Sequence, residues 1–272
     1  MCSFNSLFSF IGKLSFWSIA KLLEFARFTA LKYGFAHYKD FHSHSTTLFV
    51  ASQRYEFTED VHDIRFDNAF GLHHPLHFYM YVSDAGKSSF CTTVLWTDPR
   101  STKEMAKFVT KVVVVKIKTR KPSPLADFFY DGLEEHLNTV RRLGIVKRQP
   151  VAIPDNVFRY KLKALHSDTD NNAHVNQASY VKWCSDAASV AATQKHLTHF
   201  QRHIELYACK TMELHYTGES VVNDELEVIV WEEGSDTVWV SILCKGDVIF
   251  TMDLQIHEGP PVIVSPHLRS LL

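Results

Sequence analysis

The sequence contains few cysteines, and those it has are scattered. Five cysteines occur in 272 residues, at positions 2, 91, 184, 209 and 244, and none of them forms a C-x-x-C pair. An odd, dispersed set argues against a disulfide framework and a thiolate zinc site, and it favours a reducing compartment. The sixteen histidines have no carboxylate or cysteine at ligand spacing, so the sequence predicts no metal and no other cofactor.

The chain also lacks an excess of either charge and any long apolar run. Its 29 Lys and Arg residues balance 30 Asp and Glu residues, so we expect no nucleic-acid partner. Charged residues such as Lys13 and Lys21 interrupt the apolar N-terminus, so no membrane span is expected. The first 23 residues contain no acid and are rich in Ser and Phe. We expect a cytoplasmic protein, or a mitochondrial or plastid one if this segment acts as a transit peptide.

Catalytic motifs of several large enzyme classes are missing as well. The sequence has no G-x-S-x-G elbow, no Gly-rich phosphate loop and no H-E-x-x-H pair. These absences argue against a serine hydrolase of that type, a nucleotide-binding enzyme and a zincin.

The order of predicted elements is repeated along the chain. Residues 14–33 predict a largely apolar helix that ends at Gly34 and should be surrounded by protein. A second helix of this kind is predicted over 176–196. Each is followed by four predicted strands that we interpret as a meander; a further strand is predicted over 158–165 and a connecting helix over 125–143. The predicted strands of the two sets are 46–57, 76–82, 90–96 and 106–118, then 212–216, 225–231, 238–244 and 249–257.

This repetition predicts an α+β protein made by internal duplication. A long helix covered by an antiparallel sheet is the hotdog arrangement, so the chain should be a double hotdog, with two tandem copies. We expect an N-terminal hotdog with a shortened start over 1–122, a helical linker over 123–154 and a C-terminal hotdog over 155–260.

A polar turn before the second long helix carries the chemistry-bearing residues. It reads HSDTDNNAHVNQASYVKW from position 166, and Asp170, Asn172 and His174 alternate within it. The free N–H groups at the helix start, near Val175 and Asn176, should point into the same space and bind an oxyanion. A carboxylate, an amide, an imidazole and such donors suit acyl transfer to water. The alternative is that the polar residues merely cap the helix.

This turn resembles the signature of the acyl-acyl-carrier-protein (acyl-ACP) thioesterases. Their D-x-N-x-H-V-N-x-x-x-Y stretch corresponds to Asp170, Asn172, His174, Val175, Asn176 and Tyr180. The segment YMYVSDAGKSSFCTTVLW in the first half is similar to the N-terminal hotdog of that family, so the resemblance covers most of 14–258.

The resemblance implies that a glutamate on the second strand after the second long helix completes the site. Family spacing indicates Glu219, and Glu213 and Glu225 are rivals because the preceding loop is longer here. The family often has a cysteine after this glutamate; the chain has Ser220 there, which excludes a thiol nucleophile at that point. The start of the first hotdog contains no acid or histidine, so we expect it to be non-catalytic.

The implied activity is hydrolysis of fatty acyl thioesters, on acyl-carrier protein or coenzyme A, to a free acid and a thiol. Asp170 and Glu219 would activate water or attack the thioester, while Asn172 and His174 orient water and hold the developing charge. The sequence does not separate general base from nucleophile. Two alternatives are a 3-hydroxyacyl thioester dehydratase, against which Asn172 argues, and a non-catalytic acyl-binding protein.

A cluster of basic residues is a candidate surface for an acidic carrier protein, with an ordinary solvated surface as the alternative. A monomer and a homodimer are both compatible with a duplicated fold. The cluster comprises Lys116, Lys118, Arg120, Lys121, Arg141, Arg142, Lys147 and Arg148.

Overall fold

The computed structural model describes residues 14–63, 76–131, 133–139, 142–146, 148, 151–170 and 173–257, without the side chains of His42 and Glu134. Its α-helices are α1 (Phe16–Lys32), α2 (Tyr38–Ser43), α3 (Glu134–Thr139) and α4 (Gln177–Thr193). Its strands are β1 (Thr46–Phe57), β2 (His77–Ala85), β3 (Ser89–Thr97), β4 (Glu104–Lys116), β5 (Phe158–Lys163), β6 (Cys209–Tyr216), β7 (Glu225–Glu233), β8 (Thr237–Cys244) and β9 (Asp247–Ile256). None of the described helices is long and apolar enough to cross a membrane.

The chain divides into two compact units, and the division falls within α1. Of the described residues, the C-terminal unit contains 14–22, 57–63 and 151–257. The N-terminal unit contains 23–56 and the described part of 75–148.

In the N-terminal unit the strand order is β2-β3-β4-β1, with antiparallel β2–β3 and β3–β4 pairs. Its core contains a group of aromatic rings in contact, of which Phe41, Phe90 and Phe129 are almost completely buried. The short helix α2 carries Phe41 into this core.

In the C-terminal unit the strand order is β6-β9-β8-β7-β5, and all four pairings are antiparallel. Helix α4 packs against β7, β8 and β9. Small residues on its inner face allow the helix to lie close to the sheet. Ala187, Ala188, Ala191 and Ala192 have no exposed surface.

The two units repeat one topology, and the α+β class expected from the sequence is confirmed. In each unit, three consecutive strands form an antiparallel meander. The last strand of the meander lies beside the strand that comes before the meander in the sequence, which gives the orders β2-β3-β4-β1 and β7-β8-β9-β6. The prediction of a four-stranded meander is therefore wrong at one link in each unit. Strand β1 neighbours β4 rather than β2, and β6 pairs with β9 rather than β7.

Two helix predictions need correction. The helix expected over 125–143 is interrupted: a single 3-10 turn forms over Asp127–Phe129 and α3 begins only at Glu134. The N–H groups of Tyr130 and Asp131 donate to Asp127 O and Phe128 O, which is the hydrogen-bond pattern of a 3-10 turn rather than of an α-helix. Helix α1 is not surrounded by protein along its whole length, because Phe25 and Phe28 are 70% and 58% exposed.

Candidate active site

The candidate site forms where the segment before α4 lies beside the segment after β6. His174 and Val221 form an isolated antiparallel bridge, and Val175 N donates to Ser220 O at 2.9 Å. This pairing brings the His174 ring to the Glu219 carboxylate, with Nε2 and Oε2 3.4 Å apart. Both side chains remain about one-third exposed, at 37% and 32%, so the pair is accessible from solvent.

Asp170 lies at the start of a tight turn that ends at His174. Its N–H donates to His174 O at 2.8 Å, and Ala173 N donates to Asp170 O at 3.1 Å. Asp170 itself is exposed. Ala173 has a φ of +62°, in the left-handed region that is unfavourable for alanine. Asn172 lies outside the described residues.

The two rival glutamates lie on strands of the C-terminal sheet, whereas Glu219 lies in the segment between β6 and β7 and not on a strand as expected. Glu213 faces His215, with Oε2 and Nε2 3.5 Å apart. Glu225 is opposite Lys163 in the β5–β7 register. Of these three acids, Glu219 is the one found beside His174.

The start of α4 is capped, which changes the expectation for its N–H groups. Val175 N donates to Ser220 O at 2.9 Å and Asn176 N donates to Asp168 O at 2.8 Å. Asn176 is the N-cap residue, and its Oδ1 accepts from Ala178 N at 3.0 Å. The N–H groups of Val175 and Asn176 are therefore engaged, and the expectation that they are free donors is not met.

A buried hydroxyl pair holds the residue next to Glu219. Tyr180 on α4 shares a 2.9 Å hydrogen bond with Ser220 Oγ, and Ser220 N donates to the Tyr180 hydroxyl at 3.0 Å. Burial raises the pKa of Tyr180 above its ordinary value, so the hydroxyl stays protonated. Ser220 is 1% exposed and serves to fix the backbone from which Glu219 projects.

Two of the described cysteines lie in the core of the C-terminal unit. Cys184 on α4 and Cys209 on β6 are completely buried, and burial raises the pKa of both thiols well above the ordinary value. Neither has the thiolate character of a nucleophile at neutral pH.

Sequence reasoning missed a contact between α1 and the cap of α4. Lys21 Nζ donates to Asn176 Oδ1 at 2.9 Å. Residues 14–22 belong to the C-terminal unit, so the first turns of α1 pack within the unit that contains the site. The available signal was Lys21 among the apolar residues of the first half of α1, since the other charged residues of this helix, Glu24, Arg27 and Lys32, lie further along it.

The sequence around this site is similar to one known protein family. Residues 153–249 match the family profile described as the acyl-ACP thioesterase C-terminal domain. A comparison with curated proteins returned no match.

Solved structures with a similar fold include two acyl-ACP thioesterases. The enzyme from Bacteroides thetaiotaomicron shares 19% identity, with a TM-score of 0.69 and 93% of each chain covered. The 12:0-ACP thioesterase from Umbellularia californica shares 13% identity, with a TM-score of 0.73 and 93% of each chain covered. At these identities the structural similarity establishes the fold alone, which is of the hotdog type. The similarity in sequence to acyl-ACP thioesterases comes from the profile match over residues 153–249. Residues 153–249 are therefore similar to the C-terminal domain of acyl-ACP thioesterases, as the sequence resemblance predicted, and the fold is that of the two solved thioesterases.

Proposed function

We propose that the chain hydrolyses fatty acyl thioesters, carried on acyl-carrier protein or coenzyme A, to a free fatty acid and a thiol. The observation that carries the proposal is the 3.4 Å approach of His174 to Glu219 within the segment that matches the family profile. An imidazole beside a carboxylate at an accessible surface can position and deprotonate a water molecule.

The contact suggests how the imidazole works. Its Nε2 faces the Glu219 carboxylate, so a proton on Nε2 is favoured and Nδ1 carries the lone pair. The carboxylate then orients the ring and stabilises the imidazolium formed when Nδ1 accepts a proton from water. A separation of 3.4 Å is long for a hydrogen bond, and such contacts commonly shorten when substrate binds.

Asp170 and Asn172 complete the proposed machinery. Asp170 lies on the same turn as His174, and we assign it activation of water or direct attack on the thioester carbonyl. We assign Asn172 a role in orienting water. A covalent acyl-enzyme would appear as a mass increase of the protein in rapidly quenched single turnovers, whereas activated water leaves the mass unchanged.

The test is hydrolysis of a panel of acyl thioesters on both carriers by the purified chain. We expect Asp170→Asn, His174→Ala and Glu219→Gln to reduce kcat by about 100-fold or more, in line with the loss of an acid–base group. Glu213→Gln is the matched control, because Glu213 makes a similar contact with His215 on the same sheet. It should retain near wild-type turnover.

Each alternative predicts a different outcome of the same assay. Retention of a bound acyl chain without turnover by folded wild-type protein would favour an acyl-binding role. Formation of an enoyl product from a 3-hydroxyacyl thioester, without release of thiol, would favour dehydration. Equal loss of activity in Glu213→Gln and Glu219→Gln would contradict the assignment of Glu219.

We further propose that the acyl carrier is acidic and binds a basic turn after β4. Lys116, Lys118, Arg120 and Lys121 are exposed, and the bonds from Lys116 N to Lys121 O and from Arg120 N to Lys116 O close the turn at 2.9 Å and 2.8 Å. Arg142 and Arg148 belong to the same N-terminal unit, whereas Arg141 and Lys147 lie outside the described residues.

Charge reversal tests this surface. The double variant Lys118→Glu/Arg120→Glu should raise KM for acyl-carrier-protein substrates about tenfold and leave KM for acyl-CoA unchanged. Equal KM values for both proteins on both carriers would overturn the proposal.

Compartment and assembly are separate proposals. Cytoplasm is our first assignment, with mitochondrion or plastid if the N-terminal segment directs import; microscopy of the full chain fused at its C-terminus to a fluorescent protein decides between them. Light scattering of the purified chain distinguishes a monomer from a homodimer.

A further inference from the structure

The contact between Lys21 and Asn176 places a cation at the start of the helix that follows His174. Lys21 Nζ donates to Asn176 Oδ1 at 2.9 Å, and the same oxygen accepts from Ala178 N at 3.0 Å. Asn176 is 7% exposed, so this junction is shielded from water. Two donors on Oδ1 fix which way the amide is turned, and its NH₂ group must face away from them.

Two further contacts hold the first turns of α1 in place. Phe16 N donates to Glu205 Oε1 at 3.0 Å, and the ammonium of Lys182 lies 5.7 Å from the centre of the Trp17 ring. Trp17 thus meets α4 near Lys182 while Lys21 meets it at Asn176, so this part of α1 runs antiparallel to α4. Both contacts are made by residues that precede Lys21 in α1, and they anchor the turn of the helix from which Lys21 reaches the cap.

The position of Lys21 is electrostatically unfavourable for the helix. The N-terminus of an α-helix carries partial positive charge, and acidic side chains are the ones that stabilise it. Lys21 adds a positive charge at this end of α4. A charge of this sign is useful where negative charge develops during a reaction, and a thioester carbonyl under attack develops such a charge.

Two backbone N–H groups at the start of α4 are already engaged in hydrogen bonds. Val175 N and Asn176 N are both bound to backbone carbonyls, so neither is free to stabilise an oxyanion. The positive potential at this end of the helix then depends on its remaining donors and on the nearby ammonium.

We propose that Lys21 is a positioning residue of the hydrolytic site: it fixes the Asn176 amide and supplies positive potential at the start of α4. The proposal rests on the proposed thioesterase function. It also means that a residue from the first 22 of the chain contributes to a site that sequence reasoning assigned wholly to the second half.

The experiment compares steady-state kinetics of the full-length wild type with Lys21→Met and Lys21→Arg. Methionine keeps the length of the side chain and removes its charge, whereas arginine keeps the charge. We expect Lys21→Met to lower kcat about tenfold with KM within twofold of wild type, and Lys21→Arg to recover most of kcat. The Tm of Lys21→Met should stay within a few degrees of wild type, because the lost hydrogen bond and the removed unfavourable charge oppose one another.

Lys182→Met is the matched control, because it removes the Trp17 contact and leaves the Asn176 cap intact. It should retain the kcat of wild type. Equal kcat for wild type and Lys21→Met would overturn this inference alone. An equal loss in Lys21→Met and Lys182→Met, or a loss that arginine does not recover, would show a merely structural role and overturn it as well.

The same assay separates failure of this inference from failure of the proposed function. Hydrolysis by wild type and its loss in His174→Ala establish the function, whatever Lys21→Met does. A folded wild type that hydrolyses no thioester in the panel overturns both.

Discussion

The hydroxyl of Tyr180 binds Ser220 twice, through its Oγ at 2.9 Å and its backbone N–H at 3.0 Å. This pair joins α4 to the residue that follows Glu219, so the helix and the carboxylate are positioned together. Both partners are buried, at 3% and 1% exposure, and water cannot replace either bond.

Tyr180→Phe tests this relationship. The change leaves the buried Ser220 N–H and hydroxyl without their partner, so we expect the free energy of unfolding to fall by about 1–3 kcal/mol. Turnover should fall as well, because Glu219 loses its anchored neighbour. Urea denaturation and kcat of the same preparation measure both effects. Tyr130→Phe, which removes a 3.5 Å contact with Gly86 O at an exposed site, is the control and should change neither.

Gly218 is required by close packing next to Glu219. A Cβ atom at this position would lie 2.7 Å from Ile249 Cγ2, closer than two carbons can approach. Gly218→Ala should therefore displace the segment that carries Glu219, lowering stability by about 1–3 kcal/mol and turnover about tenfold or more. Adding Ile249→Ala removes the clashing methyl group. The double variant should recover part of the lost turnover, and strict additivity of the two changes would contradict this account.

Ala173 is strained, and relieving the strain should stabilise the protein. Its φ of +62° suits glycine, so we expect Ala173→Gly to raise the free energy of unfolding by about 0.5–1 kcal/mol. The same substitution at Ala178, in the first turn of α4, should lower it by about 1 kcal/mol or more, because helical glycine is unfavourable and a buried methyl group is lost. Chemical denaturation checks both. A loss of stability in Ala173→Gly would contradict the strain.

Glu205 should make stability depend on pH. Burial raises its pKa from 4.5 to about 7 in the folded state, so between these values the folded protein holds a proton that the unfolded chain has released. The free energy of unfolding contributed by this group therefore falls as pH rises from about 4.5 to about 7, and is constant above that. Glu205→Gln should remove this slope and raise stability at pH 8 by at most about 3 kcal/mol.

Urea denaturation at pH 4, 6 and 8 measures the effect of Glu205→Gln, with Glu104→Gln at an exposed position of β4 as the control. The control should follow wild type at every pH. A difference between Glu205→Gln and wild type that is the same at all three pH values would show that Glu205 titrates normally in the folded protein.

Element positions were predictable from the sequence because periodicity is local. Strand β1 was predicted over 46–57 and is found there, and the predicted end of α1 at Gly34 matches a positive φ of 99°. Pairing was not predictable in the same way. Residues of β6 pair with those of β9 about forty positions later, and nothing in the local pattern distinguishes this from pairing with β7.

The candidate site shows the same division between local and distant information. A motif within ten residues indicated Asp170 and His174, whose turn is closed by local hydrogen bonds. Which glutamate lies beside His174 depends on the register between distant segments, so the sequence left three candidates. Lys21 and Asn176 are 155 positions apart, so the local motif does not indicate their contact.

The alanines of α4 limit how the space between this helix and the sheet could be enlarged by design. Ala188 and Ala191 are already small and have no exposed surface, so truncation there opens no space beside the helix. Phe250 packs against Tyr180 of this helix, with ring centres 5.3 Å apart, and Met252 lies two residues further along the same strand face. Enlarging the space between α4 and the sheet therefore requires shorter side chains on β9 rather than changes in these alanines.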